Sequence, residues 1–274
     1  MERLGGAGMK LCRYQPLQFT AEGLGSEQHP EAAYGRIAGN TVHEISGDIF
    51  GKWFETTRAW PLEQVKLLPP VTPSKIVCIG RNYREHAAEL GNEVPKQPLI
   101  FLKAPSAVIG PDEPIVYPPD SQRVDHEGEL AVIIGKRCKG ISAAEFAKYV
   151  LGYTCLNDVT ARDLQKADVQ FTRGKSFDTF CPLGPLLETE LNLAAAMVET
   201  YVNGERRQHA PVTDMIFSIG VILSWISRVM TLEPGDVIAT GTPAGVSPMK
   251  PGDVVEVVVN GIGTLRNTVV EAEG

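Results

Sequence analysis

A short apolar segment that contains two glutamates is the feature that most constrains this chain. The segment spans residues 124–135, and Glu127 and Glu129 stand two residues apart within it. Side chains alternate between the two faces of a strand, so both glutamates should point the same way. Residues 130–134 are apolar at every position, which indicates a strand covered on both sides. Two carboxylates in such a strand repel each other and lose water, so a cation should compensate them.

A third carboxylate follows the next strand-like run. Asp158 comes directly after the run 150–157. Carboxylate oxygens are ligands that hard divalent cations prefer. The sequence therefore predicts that Glu127, Glu129 and Asp158 hold one Mg²⁺ or Mn²⁺, with Ca²⁺ as a substitute. For the glutamate pair taken alone, the alternative is an exposed edge strand with two solvated side chains.

A histidine and a glutamate upstream suggest a general base. Residues 75–80 are typical of a buried strand, and residues 81–90 are typical of a short helix that ends at Gly91. His86 and Glu89 stand three apart, so they share a face of that helix. A carboxylate beside an imidazole fixes its tautomer and raises its basicity. A surface His–Glu pair with no chemical role is the alternative.

Elsewhere the chain consists mostly of short strand-like runs separated by glycine- and proline-rich turns. A proline-rich connector, 68–73, predicts a boundary between a small β-rich amino-terminal domain (1–70) and a larger domain (71–274). Capping-box patterns predict short helices at 143–149 and 161–167. Because strands dominate and helices are scattered, we expect an α+β fold, a mixed β-sandwich roll with few short helices.

The one long helical pattern covers residues 216–230. It is apolar almost all round, so we expect this helix to be buried and to contact a partner subunit. Composition excludes some other partners. The net charge of −7 argues against a nucleic-acid surface or an anionic membrane surface. No apolar run reaches the roughly 18 residues of a membrane span. Five cysteines without C-x-x-C spacing predict buried, reduced thiols in a cytoplasmic protein.

Five segments, in this order, resemble the fumarylacetoacetate hydrolase family. They resemble its smaller single-chain branch of acylpyruvases, oxaloacetate decarboxylases and 2-hydroxyhepta-2,4-diene-1,7-dioate isomerases, and the resemblance covers roughly residues 70–272. No departure occurs at positions expected to bind metal or act as the base. The segments are Gly80-Arg81-Asn82-Tyr83-x-x-His86-x-x-Glu89, Asp125-His126-Glu127-Gly128-Glu129-Leu130, Asn157-Asp158-Val159-Thr160-Ala161-Arg162-Asp163, Gly174-Lys175-Ser176-Phe177-Asp178 and Thr240-Gly241-Thr242-Pro243-Ala244-Gly245-Val246.

The resemblance implies a β-roll, a homodimer and roles for several residues. His86, Glu89 and Lys175 would be catalytic, although composition alone favours a solvated loop lysine at 175. Arg162, Gln165 and Thr242 would bind the carboxylate of a small 2-oxo acid.

Hydrolysis of an acylpyruvate such as fumarylpyruvate or acetylpyruvate is the expected reaction. Water attack on the distal carbonyl needs a base, and a metal ion would act as a Lewis acid. Oxaloacetate decarboxylation or tautomerisation, and isomerisation of 2-hydroxyhepta-2,4-diene-1,7-dioate, are the alternatives. So are a catalytically silent metal-binding protein and a structural Ca²⁺ site.

Overall fold

The computed structural model describes residues 8–17, 19–20, 23–24, 31–89, 91 and 93–272, and most of them lie in or between strands. The first strands are β1 (Lys10–Pro16), β2 (Phe19–Thr20), β3 (Gly23–Leu24), β4 (Ala33–Ala38), β5 (Thr41–Gly47), β6 (Trp53–Pro61) and β7 (Val65–Leu68). The central strands are β8 (Ile76–Gly80), β9 (Leu99–Lys103), β10 (Val108–Ile109), β11 (Ile115–Tyr117), β12 (Val124–Asp125), β13 (Gly128–Ile134), β14 (Val150–Asn157), β15 (Thr160–Ala161) and β16 (Cys181–Glu188). The last strands are β17 (Met197–Val202), β18 (Glu205–Pro211), β19 (Val237–Ala239), β20 (Pro248–Met249), β21 (Val254–Val259) and β22 (Gly263–Glu271).

Helices are few and short. The α-helices are α1 (Arg84–Glu89), α2 (Arg162–Ala167), α3 (Thr172–Lys175) and α4 (Ile219–Val229). Turns of 3₁₀ helix lie at Leu62–Gln64, Pro105–Ala107, Ala143–Lys148 and Val212–Asp214. Among the described residues, no helix is both long and apolar enough to cross a membrane.

The largest sheet among the described strands contains twelve strands. Ten follow the order β6-β5-β4-β1-β16-β14-β13-β19-β8-β9, with β7 beside β1 and β10 beside β16. A second sheet has the order β11-β22-β21-β17-β18, and two smaller sheets have the orders β15-β12-β20 and β2-β3. Most pairs are antiparallel, but β8–β19, β10–β16 and β11–β22 are parallel. The predicted mixed, β-rich fold with few helices and a small amino-terminal β region is confirmed.

The large sheet continues across the proline-rich connector. Strand β1 pairs with β4 and β7 of its own region, and it also pairs with β16 through Lys10↔Glu188 and Leu11↔Leu187. The backbone ladder therefore joins the first seventy residues to the rest of the chain. The division into two domains at residue 70 stays a prediction.

Strand β13 is buried on both faces, as the apolar pattern predicts. Leu130, Val132 and Ile134 pack in one apolar cluster with the buried face of α4, whereas Ala131 and Ile133 pack in another. The hydrophobic effect thus fixes the register of this strand, since a shift by one residue would exchange its two faces. That register determines where its glutamates point.

The long helix, α4, begins three residues later than the sequence predicts. The side chain and carbonyl of Asn82 accept hydrogen bonds from the N–H groups of Phe217 and Ile216, at 2.8 Å each, so these residues are held outside the helix. The helix begins at Ile219, after Ser218, whose hydroxyl accepts from the N–H of Val221. Within one chain, one face of α4 remains exposed to solvent, so the contact with a partner subunit that was expected for this helix stays a prediction.

The two short helices predicted from capping-box patterns are present, as the 3₁₀ segment Ala143–Lys148 and as α2. The capping boxes themselves are wrong, since neither Ser142 nor Thr160 caps a helix through its side chain. The hydroxyl of Thr160 donates instead to the carbonyl of Asp158 at 2.8 Å.

Candidate active site

The three carboxylates predicted as metal ligands lie together. Glu127 immediately precedes β13, Glu129 lies within it, and Asp158 immediately follows β14. The antiparallel pairing of these strands sets Gly128 opposite Asn157, and the N–H of Asp158 donates to the carbonyl of Glu127 at 2.8 Å. One carboxylate oxygen from each of the three residues lies within 4.8 Å of the others, and all three residues are buried. Two paired strands therefore form a buried acidic cluster.

Two of these carboxylates are paired with buried cations. The ammonium of Lys175 lies 2.8 Å from Glu127 Oε2 and 2.7 Å from Asp158 Oδ2. Lys103 Nζ lies 2.6 Å from Asp158 Oδ1, and Arg162 Nη2 lies 2.7 Å from Glu127 Oε1. Burial disfavours ionisation of Glu127, but Lys175 and Arg162 outweigh it and hold the pKa of this carboxyl well below its usual range. Lys175 is thus buried among carboxylates, and the solvated alternative is wrong.

Glu129 differs from its neighbours because it has no cation partner among the described residues. Its Oε2 accepts one hydrogen bond, from the N–H of Gly241 at 2.7 Å. Burial, followed by the nearby charges of Asp158 and Glu127, raises the pKa of Glu129 well above its usual range. An oxygen-only ligand set with one uncompensated carboxylate fits a hard divalent cation, which would supply the missing positive charge. The residues present are therefore consistent with a site for a hard divalent cation.

We call these six charged residues the floor. The floor consists of Lys103, Glu127, Glu129, Asp158, Arg162 and Lys175. Above it lies a cavity of about 620 Å³. Four floor residues line the cavity: Glu127, Glu129, Arg162 and Lys175. The rest of its lining consists of Ile79, Gly80, Arg81, His86, Glu89, Leu99, Phe101, Arg123, Gln165, Lys166, Phe171, Thr242 and Val246. Its volume is in the range of small-molecule sites.

Arg162 and Gln165, which were predicted to bind a substrate carboxylate, contact each other. Arg162 Nη1 donates to Gln165 Oε1 at 2.8 Å, and Arg162 Nε donates to Asp125 Oδ2 at 3.0 Å. Arg162 also donates to Glu127, so its guanidinium joins the side chains of Asp125, Glu127 and Gln165. The amide nitrogen of Gln165 lines the same cavity and has no partner in the described part of the chain, so it is available to a ligand.

Thr242 belongs to a buried hydrogen-bond network. Its hydroxyl donates to the carbonyl of Gly128 at 2.9 Å and accepts from Gln208 Nε2 at 2.7 Å. Gln208 Oε1 accepts in turn from the N–H of Gly128 and from His126 Nδ1. Burial lowers the pKa of His126 to about 4, so its neutral ring accepts from the Ser247 hydroxyl at 2.8 Å. The network fixes the backbone between the two glutamates.

His86 and Glu89 form the pair that the sequence predicts. Both lie on α1, and His86 Nδ1 lies 3.3 Å from Glu89 Oε2. The carboxylate also accepts from the N–H of Gly245, at 3.1 and 3.2 Å. Gly245 has a φ of +100°, and a Cβ there would lie 2.0 Å from the carbonyl of Arg207, so glycine is required at this contact. Glu89 thus orients the imidazole, and a second loop holds Glu89.

Helix α1 begins at Arg84, three residues later than predicted. Arg81 has a φ of +58°, in the left-handed region, which interrupts a right-handed helix. The next residue, Asn82, is buried and its amide donates to the carbonyls of Thr240 and Phe217, at 2.7 and 3.1 Å. These contacts position the start of α1 over the cavity. The predicted last helical residue, Leu90, lies outside the described residues.

We call four cavity-lining residues the rim: Arg81, His86, Glu89 and Lys166. In contrast to the floor cations, neither Arg81 nor Lys166 has a hydrogen bond or an ion pair among the described residues. His86 Nε2 likewise has no partner in this part of the chain. The rim therefore presents free donors and a free base to the cavity.

The sequence did not indicate two contributors to the site, Lys103 and Gln208. Lys103 follows the largely apolar residues Leu99–Leu102 at the end of a strand, and a buried ammonium there must find an acid. That single charge in an apolar run is a signal that could have been used. Gln208 lies in the strand that follows the Asn203-Gly204 turn, and nothing in its local sequence points to the site.

Comparisons with known proteins identify the family to which this fold belongs. The family model described as fumarylacetoacetate (FAA) hydrolase C-terminal matches residues 75–270, and the model described as Rv2993c-like, N-terminal, matches residues 9–70. The chain belongs to the fumarylacetoacetate hydrolase family. The resemblance found in the five sequence segments is thereby confirmed.

Two curated relatives show how close the similarity is. Protein Rv2993c of Mycobacterium tuberculosis is 50% identical over 233 residues, which cover 84% of this chain and 88% of that protein. The oxaloacetate tautomerase YisK of Bacillus subtilis is 45% identical over 225 residues, which cover 77% of this chain and 75% of that protein.

Solved structures extend the similarity to the whole fold. The 2-hydroxyhepta-2,4-diene-1,7-dioate isomerase of Mycobacterium marinum is 44% identical, with a TM-score of 0.85 over 97% of this chain and 100% of that one. The maleylpyruvate hydrolase of a Sphingobium species, in complex with manganese(II) and pyruvate, is 31% identical, with a TM-score of 0.78 over 97% of this chain and 100% of that one.

Proposed function

We propose that this chain is a divalent-metal-dependent enzyme that moves a proton between carbon and oxygen in small 2-oxo acids, as a tautomerase or isomerase. The sequence alone put acylpyruvate hydrolysis first. The comparisons favour the alternative, because a tautomerase at 45% identity and an isomerase at 44% are more similar to this chain than two hydrolases at 37% and 31%. Keto–enol conversion of an oxaloacetate-like acid is the simplest reaction of this class.

One observation carries the proposal: a free base faces the acidic cluster across one cavity. The floor cations are bound to carboxylates, whereas His86 Nε2 has no partner among the described residues. Its other nitrogen is held by Glu89. A neutral imidazole with one nitrogen oriented and the other free is suited to accept a proton. Proton transfer needs only this base and a means of stabilising an enolate.

The mechanism follows from these positions. His86 Nε2 removes a proton from the carbon next to the 2-oxo group, Glu89 stabilises the imidazolium that forms, and the imidazolium returns the proton to the enolate oxygen. In the enol-to-keto direction the same groups take the proton from the enol oxygen and deliver it to carbon. A divalent ion held by Glu127, Glu129 and Asp158 would supply Lewis-acid stabilisation of the enolate charge. Lys175 pairs with Glu127 and Asp158 and holds their carboxylates in place, and its own charge lies beside the region where enolate charge would develop.

The substrate carboxylate adjacent to the 2-oxo group would be held by the predicted binding residues. Arg162 donates a hydrogen bond to the amide oxygen of Gln165 and so holds this side chain in place. The amide N–H groups of Gln165 remain free to donate to the substrate. Thr242 contributes mainly through its backbone, because its hydroxyl proton is donated to Gly128. Apolar side chains, including Phe101 and Phe171, line the same cavity and limit the water around the enolate.

The test is to follow enol oxaloacetate as it converts to the keto form, by ultraviolet absorbance, with Mg²⁺, Mn²⁺ or EDTA. The expected result is a metal-dependent acceleration without release of pyruvate. A parallel assay with acetylpyruvate and fumarylpyruvate monitors pyruvate formation. Faster cleavage of these acylpyruvates than conversion of the enol would contradict the proposal.

Acylpyruvate hydrolysis is the second candidate. It is supported by the similarity to the manganese- and pyruvate-containing maleylpyruvate hydrolase and by the free His86 Nε2, which could equally take a proton from water. A silent metal-binding protein is the third, and it predicts no turnover in either assay.

We also propose that two copies of this chain form a homodimer and that the protein is located in the cytoplasm. Val221 and Val229 on α4 are 40% and 62% exposed within one chain, which is apolar surface that a second copy would cover. All five cysteines are buried and unpaired, as predicted. Light scattering should give about twice the mass of the chain, and a monomer at micromolar concentration would refute the dimer.

A further inference from the structure

The cavity contains more positive groups than the proposed reaction uses. Lys175 and Arg162 are bound to floor carboxylates. Arg123 is also committed, since its Nε and Nη2 donate to both oxygens of Asp125 at 2.8 and 3.1 Å. Arg81 and Lys166 remain, and within the described residues neither has a hydrogen bond or an ion pair. A cation that lines a cavity without a partner is available to an anionic ligand.

Arg81 is held at the cavity wall by the backbone on both sides. It follows the buried strand β8 directly, and Asn82 after it is anchored by hydrogen bonds to Thr240 and Phe217. Its φ of +58° is a conformation that a non-glycine residue rarely adopts. Such backbone outliers cluster at functional sites when the surroundings enforce them. The anchoring of Asn82 is what enforces this one.

Arg81 is better suited to bind an anion than Lys166. Lys166 is exposed on α2, whereas Arg81 is partly buried and lies on the wall that leads into the helix of His86. A guanidinium presents two parallel N–H groups that match a carboxylate, whereas an ammonium acts as a point charge. Because Arg81 is less exposed to water than Lys166, its charge is screened less and attracts an anion more strongly.

We propose that Arg81 binds a second, distal carboxylate of the substrate and so selects dicarboxylic over monocarboxylic 2-oxo acids. This inference rests on the proposed function, because the first carboxylate and the 2-oxo group are taken to lie at the floor. The floor then binds the reacting end, which both classes share. Arg81 at the rim distinguishes them through the group that only the dicarboxylic acids have.

Binding of two inert probes to the Mn²⁺-loaded protein tests this without requiring turnover. The probes are malate and 2-hydroxybutyrate, in which a methyl group replaces the distal carboxylate. Neither contains a 2-oxo group, so neither can tautomerise. Calorimetric titration should show that the wild-type protein binds malate about 10- to 100-fold more tightly, which is the range of one charge-assisted hydrogen-bonded contact.

Three variants make the test specific. Arg81→Gln should remove most of the preference for malate and leave 2-hydroxybutyrate binding within about twofold, because only the distal contact is lost. Arg81→Lys should keep part of the preference, because the charge remains. Lys166→Gln, the matched control from the same cavity, should change neither affinity by more than about twofold. Thermal unfolding of each variant verifies that the fold is kept.

Several results would overturn the inference. Equal binding of both probes by the wild-type protein would remove the dicarboxylate selection. Equal weakening of both probes by Arg81→Gln would give Arg81 a structural role, and a larger loss from Lys166→Gln would transfer the contact to Lys166. Failure of the enol oxaloacetate assay alone would refute the reaction but leave the probe preference intact, so the two failures are distinguishable.

Discussion

The floor and the rim of the cavity differ in whether their cations are paired with carboxylates. Lys103, Arg162 and Lys175 each lie within 2.8 Å of a carboxylate and are almost fully buried. At the rim, Arg81, Lys166 and the outer nitrogen of His86 have no partners among the described residues. The floor rests on paired strands, whereas the rim includes a six-residue helix held at both ends by side-chain hydrogen bonds. The floor cations are therefore fixed by ion pairs, whereas the two rim cations keep their N–H groups free among the described residues.

The largest effect should come from the one floor carboxylate that has no cation. Glu129→Gln should weaken Mn²⁺ binding by at least about 100-fold and reduce turnover to background, because one of three anionic ligands is lost. Its fold should persist, since Glu129 receives only the N–H of Gly241. Titration calorimetry with Mn²⁺ measures the change. Unaltered binding would contradict the three-carboxylate site.

Replacement of His86, the free base of the rim, should impair proton transfer and leave binding of the metal ion unchanged. His86→Asn should lower kcat/KM for enol oxaloacetate by about 10²- to 10⁴-fold, the usual contribution of a positioned base. Mn²⁺ affinity should stay within about twofold. Decarboxylation of oxaloacetate should suffer less, because cleavage of its C–C bond needs no proton transfer to or from carbon. Turnover within a few-fold of wild type would exclude His86 as the base.

The paired carboxylates of the floor should matter for stability. Glu127→Gln should lower the free energy of unfolding in EDTA by about 3 kcal/mol, because Lys175 and Arg162 each lose a buried anionic partner. Glu129→Gln is the matched control, and its loss under the same conditions should be much smaller. Chemical denaturation of both variants gives the comparison. Equal losses would mean that the floor does not depend on its ion pairs.

The smallest effect should come from the residue that only orients the base. Glu89→Gln should lower kcat/KM by about tenfold, less than the loss of His86, because the imidazole remains but is less firmly oriented. The amide oxygen can still accept from the N–H of Gly245, so the loop contact is preserved. Kinetics at saturating Mn²⁺ measure the effect. A loss as large as that of His86→Asn would make Glu89 a direct participant in proton transfer.

The floor was largely predictable from the sequence, whereas the rim was only partly so. Strand alternation placed Glu127 and Glu129 on one face, and the spacing of three paired His86 with Glu89, because these are local rules. The start of α1 was not predictable, since Arg81 leaves helical geometry through contacts of Asn82 with residues more than 130 positions away.

Two further differences have the same cause. The first helical residue of α4 was missed because Asn82 also holds the residues before it. The ammonium of Lys103 reaches Asp158 from a strand 55 residues earlier. Single-sequence patterns describe neighbours along the chain, so long-range hydrogen bonds that override them appear only in the folded structure.

The contact of β1 with β16 has a consequence for the order of events during synthesis. Leu11 pairs with Leu187, so the first strand emerges from the ribosome about 180 residues before its partner. At roughly 5–20 residues per second, that gap lasts on the order of ten to thirty-five seconds. During this interval β4 covers one edge of β1 and β7 covers residues 13–16 of the other edge, so the Lys10–Leu11 stretch of that second edge stays open to foreign strands. The nascent chain is therefore most vulnerable to misassembly before residue 188 has been added.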